Sequence, residues 1–345
     1  MDVSKSRFFA RSGFLAVATA ALTSATADAA VYSLSIPDVR PGQGVTCESL
    51  ALSESERLAA FVQTHLGKTI TLKGSSCADE SVGGFRRWKI RISYDSDVAL
   101  PLVATGKSTS QELPVYATAA QCEAAVDHER TKFESNTGLA AFRSYCRVPA
   151  YRNAGWNLEV MGFGTPQLFP RNISTEVFGT LVNLTSASFF QMITSQFTQD
   201  GMDVAHIVSL NRFPYHGLAI RYYGSQDVRL SEREILAAEN PHTCVAQVER
   251  VSQDLQTHGF KNFGTYCSQH LLDRGRFAVT TLLPLESSLK VTVPSGLFQD
   301  LPGCEAQLES TIRDYRDDLL RDIATGYCSP DFDRGGYKIT LLERV

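Results

Sequence analysis

Between residues 105 and 165 the spacing of apolar and polar positions changes three times. Leu113-Pro-Val-Tyr-Ala117 has the period of a short strand. From Thr118 the period becomes helical, with Cys122, Val126, Arg130 and Phe133 on one face. Thr118 and Gln121 have the spacing of a capping box, and Gly138 closes the helix because glycine enters the left-handed region without a Cβ clash. Leu139 to Cys146 then reads as a strand. A polar turn through Gly155 leads to a second alternating run, Trp156-Asn-Leu-Glu-Val-Met161. The stretch predicts strand–helix–strand–strand.

The same pattern recurs over 228–285 and 286–345. In the first of these Asn240 caps a helix, with Pro241 at the favoured first position. Val248, Val251 and Leu255 form its stripe, Gly259 closes it, and Phe277 opens the last strand. In the second, Asp300 is the cap, Leu308, Ile312, Tyr315 and Leu319 make the stripe, and Tyr337 opens the final strand. Residues 30–104 form a longer variant. There Ser53 and Glu56 are expected to cap a helix running to about His65, with Cys47 ahead of the helix and Gly67 closing it. Residues 166–227 follow the scheme without cysteine, placing Thr185 and Ser209 where a pair would stand.

Cysteine usage sharpens the repeat. The eight cysteines fall as Cys47 and Cys77, Cys122 and Cys146, Cys244 and Cys267, and Cys304 and Cys328, one pair in each of four modules. Both members are missing together from the third module, as bridges within modules require. About 15 helical residues after Cys122 rise roughly 22 Å. The strand returning to Cys146 spans about 23 Å, so the two cysteines come level. The last three pairs close loops of a little over twenty residues and the first a longer one, each worth about 3–4 kcal/mol. That helps units too small to bury a comfortable core.

A right-handed strand–helix–strand crossover makes the first two strands parallel neighbours, with the third antiparallel to the second. The expectation is an α+β tandem array of five β-α-β-β modules, each with one helix on a small mixed sheet. Module boundaries fall at 30–104, 105–165, 166–227, 228–285 and 286–345. Beads, a curved stack and a closed ring all remain open, although the short linkers argue against free hinging.

Residues 1–29 read as an export signal. Lys5, Arg7 and Arg11 precede the apolar run Gly13 to Leu22, and Ala27-Asp28-Ala29 fits a cleavage site. The apolar core is too short for a spanning helix, which needs roughly 20 residues. The expected destination is secreted or periplasmic, where cysteines form disulfides. Without those residues the count is 30 basic against 35 acidic, a net of −5. That balance gives no footprint for nucleic acid, and no later segment predicts a membrane span. No cysteine pair has C-x2-C spacing, so neither a metal nor another cofactor is expected.

Candidate chemistry concentrates in the turns between the second and third strands. Tyr151 and Arg152, Arg212 with Tyr215 and His216, Arg274, and Phe332 with Arg334 would stand along one edge of the array. Arginine and aromatic side chains anchor interfaces, and loops on a rigid scaffold commonly carry recognition. The competing account is ordinary turn chemistry. Asp200, Asp203 and His206 could serve an acid–base or metal site, but the odd offset from Asp203 to His206 puts them on opposite strand faces. No G-x-S-x-G and no phosphate-cradling glycine loop occurs. The sequence therefore points to a non-enzymatic exported protein binding a protein or glycan at the tip edge. An enzyme with a site near the third module, or a disulfide-braced inhibitor, is the rival.

Overall fold

The computed structural model describes residues 30–39, 45–79, 88–96, 100–105, 116–147, 155–177, 187–212, 215–269 and 276–345. Within them the strand–helix–strand–strand pattern recurs five times. The first unit comprises β1 (Ala30–Val39), α1 (Cys47–Leu66), β2 (Thr71–Asp79) and β3 (Trp88–Ser96). The second has β4 (Leu102–Ala104), α2 (Ala119–Ala124), α3 (Val126–Thr137), β5 (Ala141–Arg147) and β6 (Asn157–Phe163). The third has β7 (Phe169–Val177), α4 (Ala187–Gln199), β8 (Asp203–Arg212) and β9 (Tyr215–Gly224). The fourth is β10 (Leu230–Ala238), α5 (Pro241–Thr257), β11 (Gly264–Gln269) and β12 (Phe277–Pro284). The fifth is β13 (Leu289–Thr292), α6 (Leu301–Asp317), β14 (Asp322–Pro330) and β15 (Tyr337–Arg344).

Helix starts follow the caps. Thr118, Asn240 and Asp300 accept hydrogen bonds from the backbone N–H three residues on, at 3.2, 3.0 and 2.8 Å. In the second unit the helix breaks at Ala125, dividing it into α2 and α3. The first helix corrects the sequence reading. Its cap is Thr46, paired reciprocally with Ser49, and Ser53 and Glu56 lie well inside it. Both are exposed, so polar residues on the wet face of a helix imitated a start signal. Ala51, Glu54, Ser55, Leu58 and Val62 form one buried stripe reaching back past them. Cys47 therefore belongs to the first turn, as the corresponding cysteines do.

The sheets also differ from expectation. The first two strands of each unit run parallel, but they are not neighbours. The third strand lies between them, in the orders β1-β3-β2, β4-β6-β5, β7-β9-β8, β10-β12-β11 and β13-β15-β14. Among the described residues every pairing is therefore antiparallel and no sheet is mixed. This is a split β-α-β arrangement, in which the crossover leaves a gap that the hairpin strand fills.

The four bridges Cys47–Cys77, Cys122–Cys146, Cys244–Cys267 and Cys304–Cys328 are present, with Cα separations of 5.6, 6.0, 5.7 and 5.9 Å. Each ties the first turn of a helix to the strand returning beside it. In the third unit Phe189, Ile193 and Phe197 bury a larger apolar face. Thr185 lies outside the described residues, and Ser209 stands opposite Leu218 in the ladder.

The units stack, and the helix layer of each of the first four units is covered twice, by its own sheet and by the next. α1 packs on its own sheet and also beneath the second, where Phe61 meets Phe142 edge-on at 5.3 Å and Arg57 donates to the Phe142 carbonyl at 3.2 Å. α3 meets the third sheet through Lys132 and Asn136, which hold Asp203 at 2.9 and 2.8 Å. α4 meets the fourth sheet, with Phe189 5.6 Å from Tyr266 and Phe197 4.9 Å from Phe263. α5 meets the fifth, where Tyr327 donates to Asp254 at 2.8 Å. The result is an alternation of sheet and helix layers, with the core divided among the helix layers. The central strands record it: β3 alternates between buried and more exposed positions, whereas β6 is buried at every position. Gly264 marks one close approach. A Cβ there would lie 2.6 Å from the Phe189 ring, so helix and neighbouring sheet meet only because that position lacks a side chain.

Candidate functional site

The tip between β14 and β15 is the one whose proposed contact residues are described as side chains. Asp331 organises it. Its carboxylate accepts from the backbone N–H of Asp333 and Arg334, both at 3.2 Å, and from the Arg334 guanidinium at 2.9 and 3.1 Å. Burial opposes the charge on Asp331, but these donors outweigh it and hold the carboxyl below its usual range. Arg334 thus braces the turn while most of its side chain stays exposed. Phe332 is 37% exposed and lies under the guanidinium of Arg276, 5.4 Å from the ring centroid. Arg276 also pairs with Asp333 at 2.8 Å. Since Arg276 immediately precedes β12, the base of the fourth hairpin touches the tip of the fifth.

The other tips are less fully defined. Tyr151, Arg152 and Arg274 lie outside the described residues. Arg212 and Tyr215 face each other as the last pair of the β8–β9 ladder, with His216 opposite Asn211, but their side chains lie outside the description. Arg147, at the base of the second tip, is buried against Glu159 at 2.9 Å.

The third-unit carboxylates act at joints between units. Asp200 pairs with Lys261 of the fourth unit at 2.6 Å. Asp203 is held by α3, and His206 lies 5.2 Å from the Tyr116 ring of the second unit. The parity argument against a shared face fails at a β-bulge. Ala205 is an extra residue, so Asp203 stands opposite Tyr223 and His206 opposite Arg221, two places apart on the partner strand. Comparable register shifts occur in β2, β5 and β14.

Sequence reading missed the polar joint that these residues border. Glu129 on α3 is 1% exposed and Arg221 on β9 is 3% exposed, with their charged groups 3.6 Å apart. Arg221 also donates to Asn157 at 2.8 Å and to the Leu158 carbonyl at 2.9 Å. Tyr116 donates to Glu129 at 3.3 Å, and burial together with that carboxylate pushes its phenol up. At the first joint Arg143 pairs with Glu54 at 2.6 Å. These carboxylates face cations across a joint, so their chemistry is adhesion between units. The detectable signal was charge on an otherwise apolar strand, Arg221 within Leu218-Ala-Ile-Arg-Tyr-Tyr223, whereas Glu129 is one polar residue among many in α3 and gave none.

Cavities also lie at joints. One of about 430 Å³ lies between the first two units, lined partly by Lys89, Tyr94, Leu102, Arg147, Glu159 and Phe163. Another of about 270 Å³ opens between the fourth and fifth units, bounded by α5, α6, β10 and β14. No protein-family model matches the chain, and neither does any curated protein or solved structure. Four disulfides belong to a protein of an oxidising compartment. Among the described residues no helix is long and apolar enough to cross a membrane.

Proposed function

We propose that this is an exported, non-enzymatic binding protein that engages a protein or glycan partner along its hairpin-tip edge. The observation that carries the reading is the contact between the base of the fourth hairpin and the tip of the fifth. Arg276, just ahead of β12 in the fourth unit, reaches Phe332 and Asp333 of the fifth, which supports a surface shared by neighbouring units. A half-exposed aromatic ring beneath a guanidinium offers apolar area and directed donors at one point, the combination found at interface anchors. The basic and apolar start of the chain supports export.

The test replaces Arg152, Arg212, Arg274 and Phe332 together by Ala and leaves Arg334 in place, because Arg334 supports the turn. Wild type and variant are compared on a glycan array and against exported proteins of the source organism. The expected result is a loss of affinity of about tenfold or more with an unchanged circular dichroism spectrum and melting point. Undiminished binding by the variant sinks the proposal.

A further inference from the structure

The cleft between the fourth and fifth units opens beside the fifth tip, and its lining restricts what it can hold. Glu239 follows β10, Thr243, Gln247 and Arg250 stand on α5, and Leu301, Glu305 and Leu308 stand on α6. Ala238, Tyr327 and Cys328 form the deeper lining, while Pro330 and Tyr337, the last ladder pair before the fifth tip, border the cleft. Arg250 already occupies the face of Tyr327, 5.3 Å from the ring centroid, so a cationic guest meets a like charge where it would use the ring. Glu239 and Glu305 oppose an anionic guest in the same way. A neutral guest escapes both penalties. If it carries several hydroxyls, it donates to the carboxylates and accepts from Arg250, Gln247 and Thr243 through charge-assisted and neutral hydrogen bonds. The Tyr337 hydroxyl donates to Glu239, which holds that carboxylate in place. A volume of about 270 Å³ lies just below the range of drug-sized pockets, which suits one ring of a longer chain.

We propose that this cleft is a subsite for one neutral sugar ring of a glycan whose remaining residues run along the tip edge. The inference rests on the edge-binding reading and assigns the partner's chemistry.

Its test uses the full-length protein with neutral hexose and N-acetylhexosamine oligosaccharides as probes, beside sulfated and uronic-acid glycans and a Lys/Arg-rich peptide. Gln247→Ala and Glu305→Ala alter the helix walls of the cleft without touching its buried core. Retention of a neutral oligosaccharide by the wild type, weakened about tenfold or more by each substitution with melting unchanged, is the expected result. Absence of neutral-glycan binding overturns the inference, as does a preference for the anionic glycans or the peptide, or an unchanged Kd in both variants. The edge reading fails separately, when the Arg152, Arg212, Arg274 and Phe332 variant binds everything the wild type binds. A protein partner lost on changing the tips, with no neutral glycan bound, leaves the edge reading standing and removes the cleft.

Discussion

Asp331 shows how one residue shapes the candidate surface. It is 5% exposed, and its carboxylate serves two backbone amides and one guanidinium. Asp331→Asn keeps the shape but weakens every charge-assisted bond, so it should lower stability by about 1–3 kcal/mol at neutral pH. The folded-state pKa is lowered, so the associated stability is fully present above the ordinary carboxylate value and is lost as pH falls through the lowered one. Urea titrations of both proteins at pH 7 and about pH 2 should show the gap narrowing in acid. A constant gap means the carboxylate's charge is not what holds the turn. Arg334 was legible as a residue of the tip, yet its ion pair with Asp331 was not, because local spacing does not say which carboxylate a guanidinium meets. Arg276, which does reach the neighbouring tip, lay two places beyond the tip arginine read from the sequence.

At the scale of elements, Gly264 makes the doubled covering of helices testable. Gly264→Ala places a methyl group against the Phe189 ring and should cost about 1–3 kcal/mol by overpacking. Phe189→Leu in the same protein should recover part of that loss if the clash spans the joint. Additive losses by urea denaturation contradict this account. Most elements were readable because caps, periods and cysteine offsets act over a few residues. Strand order was not, since the period-2 pattern says which face is buried and not which strand is the neighbour. The stacking had left a trace nonetheless. Trp88-Lys-Ile-Arg-Ile-Ser-Tyr-Asp95 alternates because one face of β3 is wet, while Phe277-Ala-Val-Thr-Thr-Leu-Leu283 shows no such alternation and is buried almost throughout.

Across the whole molecule, stability is expected to fall into nearest-neighbour terms, as in other stacked repeats. The second, third and fourth units each share two joints, whereas the first and fifth each share one. The outer side of the first sheet exposes Ser33, Ser35 and Arg91, and α6 exposes Glu305, Glu309, Arg313 and Arg316. Native-state hydrogen exchange should therefore find weaker protection in α6 than in α5, which is closed on both sides. Equal protection would indicate one global cooperative unit. The joint of Glu129 and Arg221 adds specificity: Arg221→Leu strands a buried carboxylate and should cost about 3–5 kcal/mol, much of it recovered by adding Glu129→Leu. Failure of the double variant to recover stability assigns the loss to packing instead.

The layered covering also sets a timetable. A chain emerging from a ribosome or a translocation pore completes each helix before the sheet that will roof it exists. At every stage one newly made helix face is wet, and that front advances by one unit as synthesis proceeds. Its character changes along the way. Behind the third unit it presents Phe189 and Phe197, the rings that later meet Tyr266 and Phe263, whereas behind the fourth it presents Arg250 and Asp254. A nascent chain paused after Gly224 is thus more adhesive than one paused after Pro284, and a holding chaperone has more to do in the interval until β12 arrives.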